Sequence, residues 1–243
     1  MIHRTDMPEH RRLLAIAHRA GNDIVRLRRA ENIGADFVEA DVRLYRGRLE
    51  VRHLKTMRWL PLLYDRHPWR LAAGWTHRLI LGELFGALSS DTGMMVDLKG
   101  DDDALPEAIL RAIREAAGGR RLIVCGQNWP LVDPFVAAPE VIAVHSIGRP
   151  DQLDAFLRSS RPTQGISIHA SLLSETVISA LKQRAPLVVT WPINTPGELA
   201  RVSGLGVDGV TTDSLAILET VVKSSGHADA TQSVPDSDAV SRA

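Results

Sequence analysis

The sequence of 243 residues predicts a (β/α)₈ barrel formed by a single domain. Short apolar runs that end in turn signals alternate with segments whose apolar residues recur at helical spacing, which is typical of a parallel sheet covered by helices. Eight such runs in a chain of this length match the eight units of a barrel. An open doubly wound sheet is the competing fold, but the G-x-G-x-x-G turn that is typical of it does not follow the first strand.

The predicted strands follow one another along most of the chain. They cover residues 13–18, 36–42, 94–99, 121–126, 141–146, 165–170, 186–191 and 208–213. Between them, stretches such as DALPEAILRAIREAA and SLLSETVISALKQRA have the apolar spacing of amphipathic helices. The barrel is expected to occupy residues 1–223, and residues 224–243, which are small and polar, are expected to form a disordered tail.

The connection after the second strand is much longer than the others. It begins with LYRGRLEVRHL, which predicts a β-hairpin, and continues through residues 54–76. That segment interleaves Trp59, Tyr64, Trp69 and Trp75 with Arg58, Arg66 and Arg70. Long connections in compact barrels are usually functional, so this excursion is predicted to cover the active-site rim and to make transient contact with a membrane surface. The alternative is that its aromatic residues pack into a small core of their own.

Composition excludes several classes of protein. Lys and Arg number 29 and so do Asp and Glu, which leaves no basic excess of the kind that binds nucleic acid. Cys125 is the single cysteine and cannot form an internal disulfide, and MIHRTDMPEHRR lacks the apolar core of a secretory signal. No apolar run approaches the ~20 residues that span a bilayer. The expectation is a cytoplasmic protein with no nucleic-acid partner and no transmembrane segment.

Carboxylates gather at the predicted carboxyl ends of the strands, where barrels of this kind place their active sites. Glu39 and Asp41 project to one side of the second strand, and Asp97 and Lys99 project to one side of the third. Three converging carboxylates repel one another unless their pKa values rise or a cation joins them. An all-oxygen set suits Mg²⁺ or Ca²⁺. The alternative is that these carboxylates only form ion pairs with neighbouring basic side chains.

Four stretches carry a family resemblance when they are taken in chain order. They are AHRAGN, GADFVEADVRLYRGRLEVRH, MMVDLKG and VVTWPINTPGELARVSGLGVDGVTTD. Together they resemble the glycerophosphodiester phosphodiesterase family, whose pattern has H-R, E-x-D, a histidine after a short hairpin, an acidic residue two before a lysine, W-x-x-N, and G-V-D-G-x-x-T-D. The match covers most of residues 13–215. Each motif alone would be weak, and their agreement in order is specific.

The resemblance implies a phosphodiesterase that uses one divalent cation, Mg²⁺ or Ca²⁺. The implied metal ligands are Glu39 and Asp41 on the second strand, together with Asp97 on the third. The implied catalytic residues are His18, His53 and Lys99. Arg19, Trp191 and Asn194 are expected to bind the substrate. One histidine would accept a proton from the attacking hydroxyl and the other would protonate the leaving oxygen, and the sequence does not decide which does which. His145 and His169 also end strands but are expected to have no catalytic role.

The chain departs from the family pattern at three positions. Gly21 stands where the family usually has the glutamate of an E-N-T motif, Leu54 where an aspartate often follows the second histidine, and Asp97 where glutamate is typical. The resulting Glu, Asp, Asp set is similar to that of the sphingomyelinase D-like phospholipases of the same superfamily. Three functions therefore stay open: a hydrolase of glycerophosphodiesters or lysophospholipids, a lyase that forms a cyclic phosphate, and a barrel that binds a phosphate ligand without turnover.

Overall fold

The structure is a computed structural model and describes residues 12–57, 62–66, 69–73 and 78–230. Its strands, in chain order, are β1 (Leu14–Ala17), β2 (Phe37–Tyr45), β3 (Arg48–Val51), β4 (Lys55–Thr56), β5 (Leu62–Arg66), β6 (Trp69–Ala73), β7 (Gly93–Leu98), β8 (Leu122–Gly126), β9 (Ile142–Ile147), β10 (Gly165–His169), β11 (Leu187–Trp191) and β12 (Gly209–Thr212). Eight of these strands correspond to the eight predicted from the sequence.

Those eight strands form a closed parallel barrel, as predicted. Their order is β1-β12-β11-β10-β9-β8-β7-β2, and β1 also pairs with β2. At the closing seam, Ala17 of β1 is in register with Thr212 on one side and with Val38 on the other. The first and last units of the chain therefore lie side by side, which brings together residues from its two ends.

In the described residues, eight α-helices accompany the barrel. They are α1 (Ile24–Ile33), α2 (Leu81–Ala87), α3 (Leu105–Ala116), α4 (Trp129–Val132), α5 (Pro150–Arg158), α6 (Glu175–Lys182), α7 (Pro196–Gly204) and α8 (Leu215–Ala230). The starts of α1, α6 and α7 are capped by side chains that accept hydrogen bonds from the free N–H groups of the first turn. Asp23 caps α1 in this way, and Thr195 forms a reciprocal capping box with Glu198 at the start of α7.

The last helix ends later than the sequence analysis expected. α8 continues past residue 223, where the barrel is expected to end, to Ala230, and the disordered tail expected beyond the barrel stays a prediction. The boundary was drawn where the apolar spacing ends, after the buried residues Leu218 and Val221. A helix that is anchored by such residues can extend beyond them through its own backbone hydrogen bonds. Residues 231–243 of the predicted tail lie outside the described residues.

Two apolar cores position the active end of the barrel. One lies between the strands and the helices, and the other fills the barrel interior. The interior core consists of Leu14, Ile16, Phe37, Met95, Ile123, Cys125, Val144, Leu187 and Val189. Side chains alternate along each strand, so the inward positions beyond this core, toward the carboxyl ends, are those that carry polar groups. Among the described residues, no helix has the length and apolar character needed to cross a membrane.

The long connection leaves the barrel through the hairpin of β2 and β3 and returns beside β3. β2 continues into an antiparallel hairpin with β3, in which Tyr45 is in register with Arg48, as predicted. β4, β5 and β6 then form a separate antiparallel sheet. The chain returns beside β3, where the backbone N–H of Val51 donates to the carbonyl of Leu79 at 2.8 Å. Arg58, Trp59 and Trp75 lie outside the described residues, and the role predicted for them stays a prediction.

Candidate active site

Three carboxylates from two neighbouring strands meet inside the carboxyl end of the barrel. Glu39 and Asp41 lie two residues apart on β2, and Asp97 of β7 is in register with Asp41. One oxygen atom from each of the three groups lies within 4.8 Å of the others. Glu39 and Asp41 are buried, and Asp97 is partly buried. The convergence that the strand pattern predicted is therefore present.

Lys99 shares this cluster. Its Nζ atom lies 3.0 Å from Oδ1 of Asp41 and donates a close hydrogen bond to Oδ2 of Asp97. Burial alone would lower the pKa of Lys99, but the carboxylates of Asp97, Asp41 and Glu39 raise it above its ordinary value. The lysine is therefore held as an ammonium ion that offsets part of the negative charge.

One carboxylate oxygen of Glu39 accepts a hydrogen bond, and the other has no hydrogen-bond partner among the described residues. The backbone N–H of Arg19 donates to its Oε2 at 2.6 Å. Its Oε1 is buried and has no hydrogen-bond partner among the described residues. Burial and the negative charge of Asp41 raise the pKa of Glu39 to about 8. A buried carboxylate oxygen without a partner is costly, and either a proton or a bound cation would relieve that cost.

Asp41 is held by Asn22 through two hydrogen bonds. Nδ2 of Asn22 donates to Oδ2 of Asp41 at 2.6 Å, and the backbone N–H of Asp41 donates to Oδ1 of Asn22 at 2.9 Å. Burial would raise the pKa of Asp41, but the charges of Lys99 and His53 and the bond from Asn22 lower it. The sequence analysis gave Asn22 no role. Two signals could have identified it: its position in the turn after β1 and its match to the asparagine of the E-N-T motif next to Gly21.

The glycine that departs from the family pattern is enclosed by its surroundings. A Cβ atom at Gly21 would lie 2.7 Å from Cβ of Ala40 and 3.1 Å from the carbonyl oxygen of Glu39. The first of these distances is too short for a real contact, so a side chain at this position would force the turn after β1 away from β2. The turn therefore packs directly on the strand that carries Glu39 and Asp41, and position 21 supplies no ligand.

His18 joins the cluster from β1 across the barrel seam. Its Nδ1 atom lies 3.0 Å from Oδ2 of Asp213, and its Nε2 atom lies 3.9 Å from Oε2 of Glu39. Burial would lower the pKa of His18, but the hydrogen bond with Asp213 and the charge of Glu39 raise it above the ordinary value. The imidazole is thus directed toward the carboxylates by a partner from the other end of the chain.

Asp213 is itself positioned by Asn194. Oδ1 of Asn194 accepts a hydrogen bond from the backbone N–H of Asp213 at 2.9 Å and another from the hydroxyl of Thr212 at 3.1 Å. Asn194 was predicted to bind substrate, and in the structure its side-chain oxygen orders the end of β12. Asp213 was noted as a strand end in the sequence but was given no role. Its position at the closing seam of a barrel was the signal that could have identified it.

His53 reaches the same end of the barrel from the hairpin. It follows β3 and is half-buried, and the backbone N–H of its neighbour Arg52 donates to the carbonyl of Asp41 at 2.8 Å. The charge of His53 is one of the causes that lower the pKa of Asp41. The structure therefore brings both predicted histidines to the acidic cluster, one on the Glu39 side and the other on the Asp41 side.

Two predicted substrate-binding residues lie at the rim of this site. Arg19 adopts a left-handed backbone with φ 53°, and its Nε atom lies 3.8 Å from Oδ2 of Asp41. Trp191 ends β11, and the ring of His169 meets it edge-to-face at a centroid distance of 5.0 Å. Both residues are partly buried. They lie at the carboxyl ends of their strands, as the barrel topology requires.

His145 does not belong to the site. It is fully buried on the outer side of β9, where its Nδ1 atom lies 2.9 Å from Oγ1 of Thr163 and its Nε2 atom lies 3.0 Å from Oδ1 of Asp133. Burial lowers the pKa of His145, against the effect of Asp133. These contacts are consistent with the expectation that His145 has no catalytic role.

The fold and the cluster together define a (β/α)₈ barrel with a candidate cation site at its carboxyl end. No family model matches the chain, and no curated protein matches it. Solved structures of phosphodiesterases with the same fold do match. A glycerophosphodiester phosphodiesterase from Thermotoga maritima is similar with a TM-score of 0.67 and 19% identity, and the match covers 88% of this chain and 99% of that one.

Two further structures agree with that match. A phosphodiesterase from Oleispira antarctica, in complex with the product sn-glycerol-3-phosphate, has a TM-score of 0.69 and 18% identity over 86% of this chain and 96% of that one. A glycerophosphodiester phosphodiesterase from Parabacteroides distasonis has a TM-score of 0.67 and 17% identity over 87% of this chain and 98% of that one. The chain has the fold of the glycerophosphodiester phosphodiesterases, and the resemblance carried by the motifs is confirmed at the level of fold.

Proposed function

We propose that this protein is a metal-dependent phosphodiesterase of the glycerophosphodiester phosphodiesterase family. The observation that carries the proposal is the meeting of Glu39, Asp41 and Asp97 beside His18 at the carboxyl end of the barrel. The Oleispira protein of the same fold holds sn-glycerol-3-phosphate as its product, which supports a glycerophosphodiester as the substrate class, and a lysophospholipid is the acylated alternative. The expected products are a phosphomonoester and an alcohol.

The residues present fit one hard divalent cation. Glu39, Asp41 and Asp97 offer only oxygen atoms, which suits Mg²⁺ or Ca²⁺, and Oε1 of Glu39 lacks any other partner in the described part of the chain. When bound, the cation offsets the negative charge of the phosphodiester and orients it. Gly21 leaves the protein with three carboxylate ligands, so the other positions would fall to substrate or water.

His18 and His53 would move the two protons of the reaction. Asp213 accepts a hydrogen bond from Nδ1–H of His18, which leaves Nε2 to exchange a proton on the side of the carboxylates. One histidine takes the proton of the attacking hydroxyl and the other protonates the leaving oxygen. The attacking group is water or a neighbouring hydroxyl of the substrate.

The remaining polar groups of the rim would bind the phosphate and its substituents. Lys99 would bind an equatorial oxygen of the phosphate as charge builds up there. Arg19, after β1, and Trp191, at the end of β11, would contact the rest of the substrate from positions two strands apart on the rim. We assign Asn194 to ordering Asp213, because its side-chain oxygen already accepts two hydrogen bonds at that strand end.

A lyase reaction is the second candidate, and the ligand set favours it. Gly21 cannot carry a ligand, and Asp97 stands in place of a longer glutamate, so the set of Glu39, Asp41 and Asp97 is similar to that of the sphingomyelinase D-like phospholipases. In that reaction a hydroxyl of the substrate loses its proton and attacks the phosphorus atom of the same molecule, the P–O bond to the head group breaks, and the head-group oxygen takes up a proton. The products are a cyclic phosphate and the head-group alcohol. The chemistry asked of His18 and His53 is the same in both cases.

Phosphorus NMR of the products distinguishes these reactions. The purified protein is incubated with glycerophosphocholine or with lysophosphatidylcholine, in Mg²⁺, in Ca²⁺ or in excess EDTA. A phosphomonoester that appears only with a divalent cation supports the proposed hydrolase, whereas a cyclic phosphate that persists supports the lyase. Full turnover in EDTA contradicts the metal-dependent mechanism. Cation-dependent binding of phosphate without turnover would identify the barrel as a binding module.

A further inference from the structure

The small sheet of β4, β5 and β6 has an inner and an outer face. Leu63 of β5 is only 3% exposed, so its side of the sheet packs against the protein. Successive residues of a strand point to opposite faces, which places Tyr64 on the other side. The register sets Lys55 of β4 and Leu71 of β6 directly opposite Tyr64. We call this row of Lys55, Tyr64 and Leu71 the outer sheet face.

The outer sheet face exposes apolar groups beside a cation. Leu71 is 68% exposed, which is the largest exposure of any large apolar side chain in the described ranges. Met57 lies two residues after Lys55 and is 36% exposed, and Lys55 is exposed as well. An aliphatic chain, an aromatic ring and an ammonium group on one solvent-facing surface are the combination that interfacial segments use at the boundary of headgroups and acyl chains.

The segment that contains the outer sheet face carries a large excess of positive charge. Residues 43–78 contain nine Lys and Arg but only two Asp and Glu, although the whole chain has 29 of each kind. The rest of the protein is therefore net acidic. Basic segments are attracted to anionic lipid surfaces by about 1 kcal/mol for each Lys or Arg near the surface. A zero net charge for the chain conceals this local excess.

The position of the sheet connects it with the candidate active site. The excursion leaves the barrel from β2, directly after the strand positions of Glu39 and Asp41, and returns beside β3. Arg52, between β3 and β4, donates its backbone N–H to the carbonyl of Asp41 at 2.8 Å. The outer sheet face thus belongs to the same end of the barrel as the acidic cluster.

We propose that the outer sheet face docks on the surface of an anionic phospholipid bilayer. The basic charge of residues 43–78 would draw the protein to the membrane, and Leu71 and Met57 would enter the headgroup region. Nucleic acid would also attract the basic charge, but it would gain nothing from two exposed apolar side chains. The proposal goes beyond the proposed catalytic function, and it is tested without turnover, so each of the two proposals can fail alone.

Sedimentation with vesicles tests the docking directly. The full chain is mixed with vesicles of pure phosphatidylcholine and with vesicles of equal parts phosphatidylcholine and phosphatidylglycerol. We expect binding to the anionic vesicles that weakens with added salt, and little binding to the neutral ones. Leu71→Ser should weaken anionic-vesicle binding about threefold to tenfold through the lost apolar contact. Lys55→Glu should weaken it at least about fivefold.

Matched substitutions elsewhere serve as controls. Leu157→Ser removes an exposed leucine near the C-terminal end of α5, and Lys223→Glu reverses an exposed lysine in the middle of α8. Both should bind vesicles as the unchanged protein does, and thermal melting verifies that all four variants fold. Absence of binding to anionic vesicles, equal binding to both vesicle types, or equal effects of test and control variants would overturn the proposal. Binding to duplex DNA in place of vesicles would overturn it in favour of a nucleic-acid surface.

Discussion

Nδ1 of His18 and Oδ2 of Asp213 lie 3.0 Å apart, across the seam where β1 and β12 close the barrel. An ionised carboxylate only accepts hydrogen bonds, so Nδ1 must donate and Nε2 is left to exchange a proton. The pKa of Asp213 is lowered, since burial would raise it but the bond with His18 favours its ionised form. Closure of the barrel therefore selects one orientation and one tautomer of the imidazole.

Asp213→Asn tests this arrangement. The amide can donate to Nδ1 and favour the wrong tautomer, so we expect kcat to fall by at least ~10² with a much smaller change in KM. The ¹⁵N shifts of the His18 ring, assigned with a His18→Gln variant, should report the altered tautomer independently of activity. Asp151→Asn, at an exposed position of α5, is the matched control. Unchanged ring shifts together with unchanged kcat would remove Asp213 from this role.

Asp41→Asn tests the proposed cation site. We expect the variant to fold, because Asn22 can still bond to the remaining carbonyl oxygen, and to lose nearly all cation-dependent activity. A cation at 100 times its Kd should stabilise the unchanged protein by about 2.7 kcal/mol, which corresponds to a rise in Tm of several degrees. The variant should lose this rise in Tm. Asp154→Asn, on the exposed face of α5, should keep it, and an equal rise in both variants would contradict the assignment.

The two histidines should be separable from the metal ligands. His18→Ala and His53→Ala are each expected to lower kcat by at least ~10², which is the range of general acid–base catalysis. Because neither side chain is an assigned ligand, the rise in Tm with Mg²⁺ should remain. A variant that retains near-normal turnover would show that its histidine is neither acid nor base in this reaction.

Gly21 should tolerate no side chain. Gly21→Ala places a Cβ atom 2.7 Å from Ala40, so we expect the free energy of unfolding to fall by about 1–3 kcal/mol. Gly21→Glu should likewise destabilise the fold and should not raise the affinity for Mg²⁺. Gly82→Ala in α2 is the control, because no atom lies within 4 Å of its added Cβ and alanine favours a helix. Denaturant titration measures both effects, and a tighter cation site in Gly21→Glu would refute this account.

The pKa of Glu39 predicts a pH dependence of stability in the absence of cations. Burial and Asp41 raise this pKa to about 8, above the ordinary value of 4.5. Between these two values the folded state holds a proton that the unfolded state has released, so the contribution of Glu39 to stability falls as the pH rises through this window. In EDTA, Glu39→Gln should abolish this fall in stability with rising pH. Glu115→Gln, at an exposed position of α3, should leave the pH dependence unchanged. Urea titrations at several pH values across that window measure the free energy of unfolding. The same dependence on pH in the unchanged protein and both variants would contradict the prediction.

The parts of the fold that could be predicted are those that a short stretch of sequence determines. Each barrel strand is covered on both sides, so it appears as a continuous apolar run, and all eight were found in this way. Glu39 and Asp41 could be placed together because they share one strand, and Asp97 could be added because parallel strands end at the same rim. These inferences need only alternation along a strand and the topology of a barrel.

The remaining features depend on contacts between distant segments. His18 and Asp213 are 195 positions apart and meet only because the barrel closes. The hydrogen bonds of Asn22 to Asp41 depend on the exact turn after β1, which no local pattern encodes. The β4–β6 sheet consists of short strands within a connection, where propensity is a weak guide. Apolar spacing marks where α8 packs and not where its hydrogen bonds stop, so the spacing alone does not fix the last residue of the helix.

The contacts of Lys99 have a consequence for the order in which the working protein is assembled. Its ammonium group bonds to both Asp41 and Asp97, so the acidic cluster already contains a counter-ion supplied by the chain itself. If the cluster binds a divalent ion as proposed, the chain would not need that ion to offset the negative charge of Asp41 and Asp97 while it folds, and the ion could bind to the finished barrel. The amount of folded protein and the fraction of it that is active would then depend on two separate quantities, the rate of synthesis and the ion concentration.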